Sequence, residues 1–225
     1  MGPAHSRGGV SALARQWATL VAILKDVWSL VASRRGFLAL LVVFLPLGTG
    51  AASNMWSPAA DFWHASADTV ALVNGTLGGF VSMAGCMVAG RLLDRLDRKT
   101  AYLLFGAIQG VILLAMAVSP RSQTSFALYA LAYAFANGLS FAAYSAVVLE
   151  VIGLRAAASQ FNVYSSLSNM PIGYMTFFEG HVFKSFGPST MMVFEALVAA
   201  AAIGLFIVAS RIAGRAPAST TGATA

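Results

Sequence analysis

The chain contains several runs of hydrophobic residues, each about 20 residues long or longer, separated by short polar breaks. A helix of that length crosses the hydrocarbon core of a bilayer, which is roughly 30 Å thick. Because lipid cannot hydrogen-bond an open backbone, such runs must cross the membrane as helices. Charged residues make up only 10% of the chain, whereas they make up roughly a quarter of a soluble domain. The sequence therefore predicts an all-α membrane protein.

We expect six transmembrane helices within a domain of residues 36–213. The predicted spans are residues 37–55, 69–92, 101–118, 125–151, 159–182 and 191–212. The first should bend near Pro46, which lacks a backbone N–H donor. Glycines four residues apart allow helices to approach closely, and two spans contain such pairs, namely Gly75 with Gly79 and Gly106 with Gly110.

The segments outside the spans have their own predicted roles. Residues 1–12 and 214–225 are small and polar, so we expect disordered tails. Residues 13–35 carry apolar side chains at helical spacing, which predicts an amphipathic helix on the membrane surface. A signal peptide is the rival interpretation, but Lys25 and Asp26 interrupt the apolar run and no small-residue cleavage site follows.

The basic residues lie at the ends of the predicted spans and indicate orientation. Of the 14 Lys and Arg residues, only Arg121 and Lys184 fall on one side of the membrane. Cytoplasmic loops carry the excess of positive charge, so both termini are expected in the cytoplasm of a multi-pass protein of the cell inner membrane. The basic residues form no single stripe, so nucleic acid is not an expected partner, and membrane lipid is. The lone Cys86 provides no disulfide framework.

Polar side chains form stripes along two neighbouring spans. One set shares a helix face in the fourth span and another does so in the fifth: Tyr133, Asn137, Ser140 and Tyr144, then Asn162, Ser166 and Asn169. Polar groups in hydrocarbon need partners or water, so we predict a solute cavity lined by these residues together with Asn54 and Asn74. The alternative is interhelical hydrogen bonding, worth about 0.6 kcal/mol per contact. The third and sixth spans, with Gln109 and Glu195 as their strongly polar groups, are expected to face lipid.

The turn between the second and third spans reads GRLLDRLDRK. It resembles the signature loop of the major facilitator superfamily, in which an acid follows a glycine by four residues, a basic residue follows the acid, and two more basic residues come soon after. Asp97 stands where that loop usually has a second glycine. The resemblance implies a cytoplasmic gate, formed by Gly90, Asp94, Arg95, Arg98, Lys99 and Glu150. An ordinary positively charged cytoplasmic loop is the alternative.

The resemblance extends from about residue 54 to residue 174, and the run WHASADTVALVNG looks most like bacterial members. Within the superfamily, the chain is most similar to the muropeptide and acetyl-coenzyme A permeases, through Glu150 and residues 162–171. The resemblance implies one half of the fold, a 3+3 inverted repeat whose solute lies between two halves. Residues 13–35 resemble the linker between halves, which implies the carboxyl-terminal half. The implied partner is a second six-helix half, supplied by a missing amino-terminal half, a partner chain or a second copy.

These features favour a secondary carrier that moves a small-molecule substrate by alternating access. A six-helix channel or a membrane scaffold is the alternative, because polar stripes also suit a pore. An intramembrane hydrolase would need a nucleophile with a base or clustered metal ligands, and no such motif occurs. We therefore expect no catalytic residue, metal or cofactor. Glu179 is a candidate for proton coupling, because intramembrane acids often belong to proton relays, and Glu195 is expected to reach the outer interface.

Overall fold

The computed structural model describes residues 41–151 and 157–215. Within these residues every regular element is helical. Four helical stretches are long and apolar enough to cross a bilayer, namely Ala67–Leu93, Arg98–Val118, Gln123–Glu150 and Tyr164–Ile212. The prediction of an all-α membrane protein is thus confirmed. The predicted surface helix of residues 13–35, the tail of residues 1–12 and residues 216–225 lie outside the described part.

The first predicted span is not a continuous helix in its described part. Residues 41–44 are helical, and the backbone is then irregular as far as Gly50. Gly48 and Gly50 have φ angles of 66° and 71°, in the left-handed region that favours glycine. A 3-10 helix at Ala51–Met55, helix α1 at Trp56–Ala60 and a 3-10 turn at Asp61–Trp63 follow. The expected bend at Pro46 is therefore a wider break that contains both glycines.

The second span contains a local widening of the helix. Helix α2 spans Ala67–Leu72, a single π turn spans Val73–Leu77, and helix α3 spans Gly78–Leu93. Gly75 has non-helical angles inside this turn, with φ −89° and ψ −107°. Such π turns are rare inside helices and frequently occur at functional sites.

Helices α4 (Arg98–Val118) and α5 (Gln123–Val151) follow, and glycines set how closely α5 packs on α3. A side chain at Gly138 would overlap the Ser82 carbonyl, and one at Gly85 would overlap the Phe135 carbonyl. Within the described residues, a Cβ at Gly75 or Gly79 would meet no neighbour, so this pair brings no two of the described helices together. The reason is that α3 presents its Gly85 side to α5. On α4 the prediction holds, since Gly106 lies against Leu47 and Gly110 against Ala196.

Helices α6 (Ala157–Leu167) and α7 (Asn169–Arg215) complete the described chain. Helix α7 is broken at Gly187, with φ 83° and ψ 175°, just before Pro188. We call residues 169–186 the first arm and residues 188–215 the second arm. Glycine adopts such a positive φ without steric cost, so Gly187 allows the chain to change direction abruptly at this point.

The contacts of the two arms show that they run in opposite directions. Tyr174 of the first arm donates to the Phe44 carbonyl at 2.7 Å, and Phe183 packs edge-on against Phe62 at 5.8 Å between ring centroids. The first arm therefore runs toward the end of the bundle that holds Trp63 and Ser119, which are joined by a hydrogen bond. The second arm starts there, where Ser189 donates to the Ala117 carbonyl at 3.0 Å. It returns along α4 until Phe206 packs in a cluster with Ala101 and Phe105.

The hydrophobic core consists of two main clusters, one toward each end of the bundle. The cluster near Trp63 includes Trp56, Leu113, Phe126 and Met191. The other includes Leu47, Tyr102, Phe105, Leu139 and Phe206. Outside this core, α4 and the second arm expose apolar faces, including Leu104, Val111, Leu114, Leu197, Leu205 and Val208. Such faces suit lipid contact.

Candidate functional site

A cavity of about 350 Å³ lies beside the broken first helix. Its walls come from the irregular segment, α4, α5, α6 and the start of the first arm. Its lining combines apolar side chains with hydroxyl and amide groups, the latter from Thr49, Tyr102, Asn137, Tyr144, Ser145, Ser165, Ser168 and Asn169. None of its described lining residues is Asp, Glu, Lys, Arg or His, so the cavity presents neutral polar groups.

A second cavity of about 300 Å³ is also lined by Asn137. It is bounded by the 3-10 helix at Ala51–Met55, the π turn, α3 and α5. Its polar lining consists of Ser53, Asn54, Asn74, Ser82, Tyr133 and Asn137. Asn137 is thus shared by both cavities.

Tyrosine hydroxyls hold the irregular backbone beside the first cavity. Tyr102 donates to the Leu47 carbonyl at 2.7 Å, and Tyr174 donates to the Phe44 carbonyl at the same distance. Breaking a helix frees backbone carbonyls, and at membrane depth these groups need partners because lipid supplies none. The two tyrosines therefore compensate for the break.

Glycines bring the irregular segment close to α5. A Cβ atom on Gly50 would lie 2.6 Å from the Asn137 amide oxygen, and one on Gly48 would lie 2.7 Å from Ser140 Cβ. Both distances are shorter than van der Waals contact. The break in the first helix thus packs against two members of the polar stripe on α5.

The structure distributes the predicted cavity residues unevenly. Tyr144 and Asn169 line the first cavity, Asn54, Asn74 and Tyr133 line the second, and Asn137 lines both. Ser140 is fully buried and lines neither of the two cavities. Asn162 and Ser166 are exposed on α6 and also lie outside both cavities. Solute binding by these residues stays a prediction.

Several polar residues of the site were not predicted from the sequence. Thr49, Ser53 and Tyr102 line the cavities, and Thr176 accepts a hydrogen bond from the Asn54 amide at 2.9 Å. One signal was available, since Pro46, Gly48 and Gly50 fall within a single apolar run. Spans interrupted by glycine and proline are typical of binding sites in transporters.

Two acidic side chains meet in the interior of the bundle. Glu179 of the first arm is fully buried, and Glu195 of the second arm is 5% exposed. Their carboxyl groups are neighbours, and Tyr133 donates a hydrogen bond to Glu195 Oε1 at 2.7 Å. The expectation that Glu195 reaches the outer interface is therefore wrong. The reversal at Gly187 places both acids at the same depth, on the facing sides of the two arms.

Five of the six predicted gate residues lie between the end of α3 and the start of α4, and the sixth, Glu150, lies near the end of α5. Arg98 and Glu150 form an ion pair at 3.8 Å, with about half of each side chain exposed. Exposed pairs of this kind contribute about 0–1 kcal/mol, so the pair is suited to breaking and reforming. Asp97, the departure from the family pattern, accepts a hydrogen bond from the Thr100 backbone N–H at 3.0 Å and caps the start of α4. The gating role of these residues stays a prediction.

No protein-family model matches the chain. It is similar to the anhydromuropeptide permeases of Escherichia coli (strain K12) and Escherichia coli O157:H7, each 28% identical over 144 residues. The similar region covers 63% of this chain and 29% of each relative, so the chain matches less than a third of the relatives' length. These relatives are transport proteins and not enzymes. Together with the apolar helices, the similarity supports a multi-pass membrane permease.

Proposed function

We propose that the chain is the carboxyl-terminal six-helix half of a major facilitator superfamily carrier that moves a small solute by alternating access. In this proposal residues 37–55 form the first span, α6 together with the first arm of α7 forms the fifth, and the second arm forms the sixth. Both termini face the cytoplasm of the inner membrane. The similarity to two permeases and the resemblance of residues 90–99 to the signature loop support this assignment.

The observation that carries the proposal is the broken first helix, beside two cavities that share Asn137. Irregular backbone at membrane depth is tolerated where protein buries it or where it lines a water-filled cavity. Secondary carriers use such discontinuous helices to bind their solutes near the bilayer midplane. The broken segment and the stripe on α5 therefore form the solute site in this proposal.

The lining of the site favours a solute that is held through neutral polar groups. Cavities of about 350 Å³ and 300 Å³ are within the usual size range for small-molecule sites. Amide and hydroxyl groups, from Asn137, Tyr144 and Asn169 among others, would orient the solute. The relatives' name gives anhydromuropeptide as their cargo, and we propose this compound as the first solute to test.

The outward-facing polar side chains support a second half. Asn54, Asn74, Asn162 and Ser166 are exposed on the surface of this chain. Polar groups at membrane depth are costly unless protein or water covers them. A second six-helix half would cover them and close the two cavities into one solute site. The Arg98–Glu150 pair would then open and close on the cytoplasmic side.

Counterflow tests the proposal. Membrane vesicles are prepared from the native host, so that they contain the polypeptide in its natural form. They are loaded with unlabelled anhydromuropeptide and diluted into buffer that contains the labelled compound. A carrier exchanges the two forms and transiently accumulates the labelled solute inside the vesicles. Asn137→Ala should reduce this accumulation about tenfold, because it removes a hydrogen bond to the solute worth about 1.4 kcal/mol. Gln123→Ala, which removes an amide outside both cavities, should leave it unchanged. Flux that shows no counterflow would instead identify a channel, and no flux would favour a scaffold.

A further inference from the structure

We propose that Glu179, Glu195 and Tyr133 form a proton-binding site that is separate from the first cavity and controls the packing of the α7 hairpin. The inference rests on the proposed transport function, because a proton that binds reversibly inside a carrier can drive a solute. The site joins both arms of α7 to α5 and to the 3-10 helix at Ala51–Met55.

The carboxyl oxygens of the pair lack donors from the surrounding protein. Among the described residues, no donor reaches either oxygen of Glu179 or Oε2 of Glu195. The Tyr133 hydroxyl from α5 donates to Glu195 Oε1, and the backbone of Ala52 lies near the same carboxyl group. His181, the nearest histidine in sequence, is exposed. In the described part of the chain, neither acid forms an ion pair with Lys, Arg or His.

A proton between the two carboxyl groups explains this arrangement. Ionised carboxylates only accept hydrogen bonds, so two of them can bond to each other only when one carries a proton. Two buried negative charges without a cation would also repel one another and lose their hydration. The described residues contain no cluster of three metal-ligating side chains, so the site suits a proton better than a metal ion.

Tyr133 connects the proton site to the solute site. Its hydroxyl binds Glu195 at 2.7 Å, and the residue also lines the second cavity together with Asn137. Trp56 packs edge-on against its ring, with 5.4 Å between centroids. When the shared proton leaves, the carboxylates repel and the two arms of α7 separate. Hydrogen bonds to ionised groups are stronger than those to neutral groups, so the Tyr133 hydroxyl stays bound to the ionised Glu195. When Glu195 shifts, Tyr133 moves with it and changes the wall of the second cavity.

Substitution of Glu195 separates proton binding from a structural hydrogen bond. In Glu195→Gln the amide oxygen still accepts from Tyr133, while the amide nitrogen donates to Glu179. The hydrogen bonds and the volume are therefore kept, and the shared proton is lost. A structural pair would tolerate this change, whereas a proton site would not. Asp68→Asn, which neutralises an exposed acid at the start of α2, is the matched control.

Infrared difference spectra of the full chain in lipid vesicles test the site directly. The wild type should show the C=O stretching band of a protonated carboxyl group in acidic buffer and lose this band in alkaline buffer. The band should be absent from the difference spectra of Glu179→Gln and Glu195→Gln and present in Asp68→Asn. A wild-type band that does not respond to pH, or one that survives in Glu195→Gln, would overturn the proposal. Removal of the band by sodium at constant pH would also overturn it, by identifying a cation site.

A transport measurement completes the test. Glu179→Gln and Glu195→Gln vesicles should lose anhydromuropeptide uptake driven by a pH gradient at least tenfold, and should keep counterflow, which requires no net proton release. Unchanged gradient-driven uptake in both variants would contradict the proton site. The infrared spectra require no solute, so the two experiments can fail independently. If the glutamate pair titrates but the vesicles show no counterflow, the proton site is supported and only the transport proposal is overturned.

Discussion

The side chain of Asn137 packs directly against the backbone of Gly50, at the point where the first helix is broken. This contact joins the irregular segment to the polar stripe on α5, and Asn137 is also the residue that both cavities share. The geometry of the proposed solute site therefore depends on a glycine that no larger residue can replace without displacing Asn137.

Gly50→Ala should destabilise the protein. The residue has φ 71°, where a side chain costs about 1–2 kcal/mol, and the new Cβ would overlap Asn137. Thermal unfolding of the purified chain in detergent measures the loss. Adding Asn137→Ala should recover the part due to overlap and leave the part due to the backbone. Equal stability of Gly50→Ala and the wild type would show that the break is not held as described.

Gly138→Ala should disrupt the packing of α5 on α3. The added methyl group would overlap the Ser82 carbonyl, and overpacking of this kind typically costs about 1–3 kcal/mol. Gly79→Ala is the matched control, because a Cβ at Gly79 meets no atom of residues 41–151 or 157–215. Thermal unfolding should separate the two variants. Equal melting temperatures would contradict the close approach of these helices.

Tyr102→Phe should lower stability with little change in volume. The substitution leaves the Leu47 carbonyl without its donor at a buried position, and an unsatisfied buried group costs about 1–3 kcal/mol. The partly buried Tyr129, for which the structure shows no side-chain hydrogen bond within the described residues, provides the control as Tyr129→Phe. If both variants unfold in detergent at the same temperature as the wild type, the Tyr102 hydroxyl does not stabilise the broken helix.

The Arg98–Glu150 pair should show charge reversal and rescue. Arg98→Glu and Glu150→Arg each place like charges together at the turn and should reduce counterflow. The double variant restores an opposite pair and should recover most of the activity. Asp97→Ala, by contrast, should cost about 1 kcal/mol of stability through loss of a helix cap without reversing any charge. Failure of the double variant to recover counterflow would contradict the gate.

The long helices could be predicted because hydrophobic length alone determines where a chain crosses lipid. The third span was expected at residues 101–118 and lies at Arg98–Val118, with the extra turn supplied by the Asp97 cap. The broken first helix was harder to predict, because hydropathy is the same for a helix and for an irregular segment whose carbonyls are held by distant tyrosines. Hydropathy does not report backbone angles at Gly48 and Gly50.

The orientation of individual side chains could not be read from the sequence. The sequence predicts Glu195 at the outer interface because the residue lies near the outer end of the sixth predicted span. Its burial depends on the reversal at Gly187, which brings Glu179 to the same depth and turns both acids inward. The packing role predicted for Gly79 illustrates the same limit. A spacing of four residues places two glycines on one face of a helix, but it does not show which face contacts a neighbouring helix.

Protection of a cysteine at position 137 by the solute would show directly whether the broken helix forms a solute site. Asn137→Cys is made in a Cys86→Ser background, with Ser140→Cys as the control at a fully buried position. A membrane-impermeant, water-soluble thiol reagent should label position 137, anhydromuropeptide should slow this labelling, and position 140 should not react. A cysteine at position 137 that stays unreactive, or that reacts equally fast with and without the solute, would contradict a solute site at the broken helix.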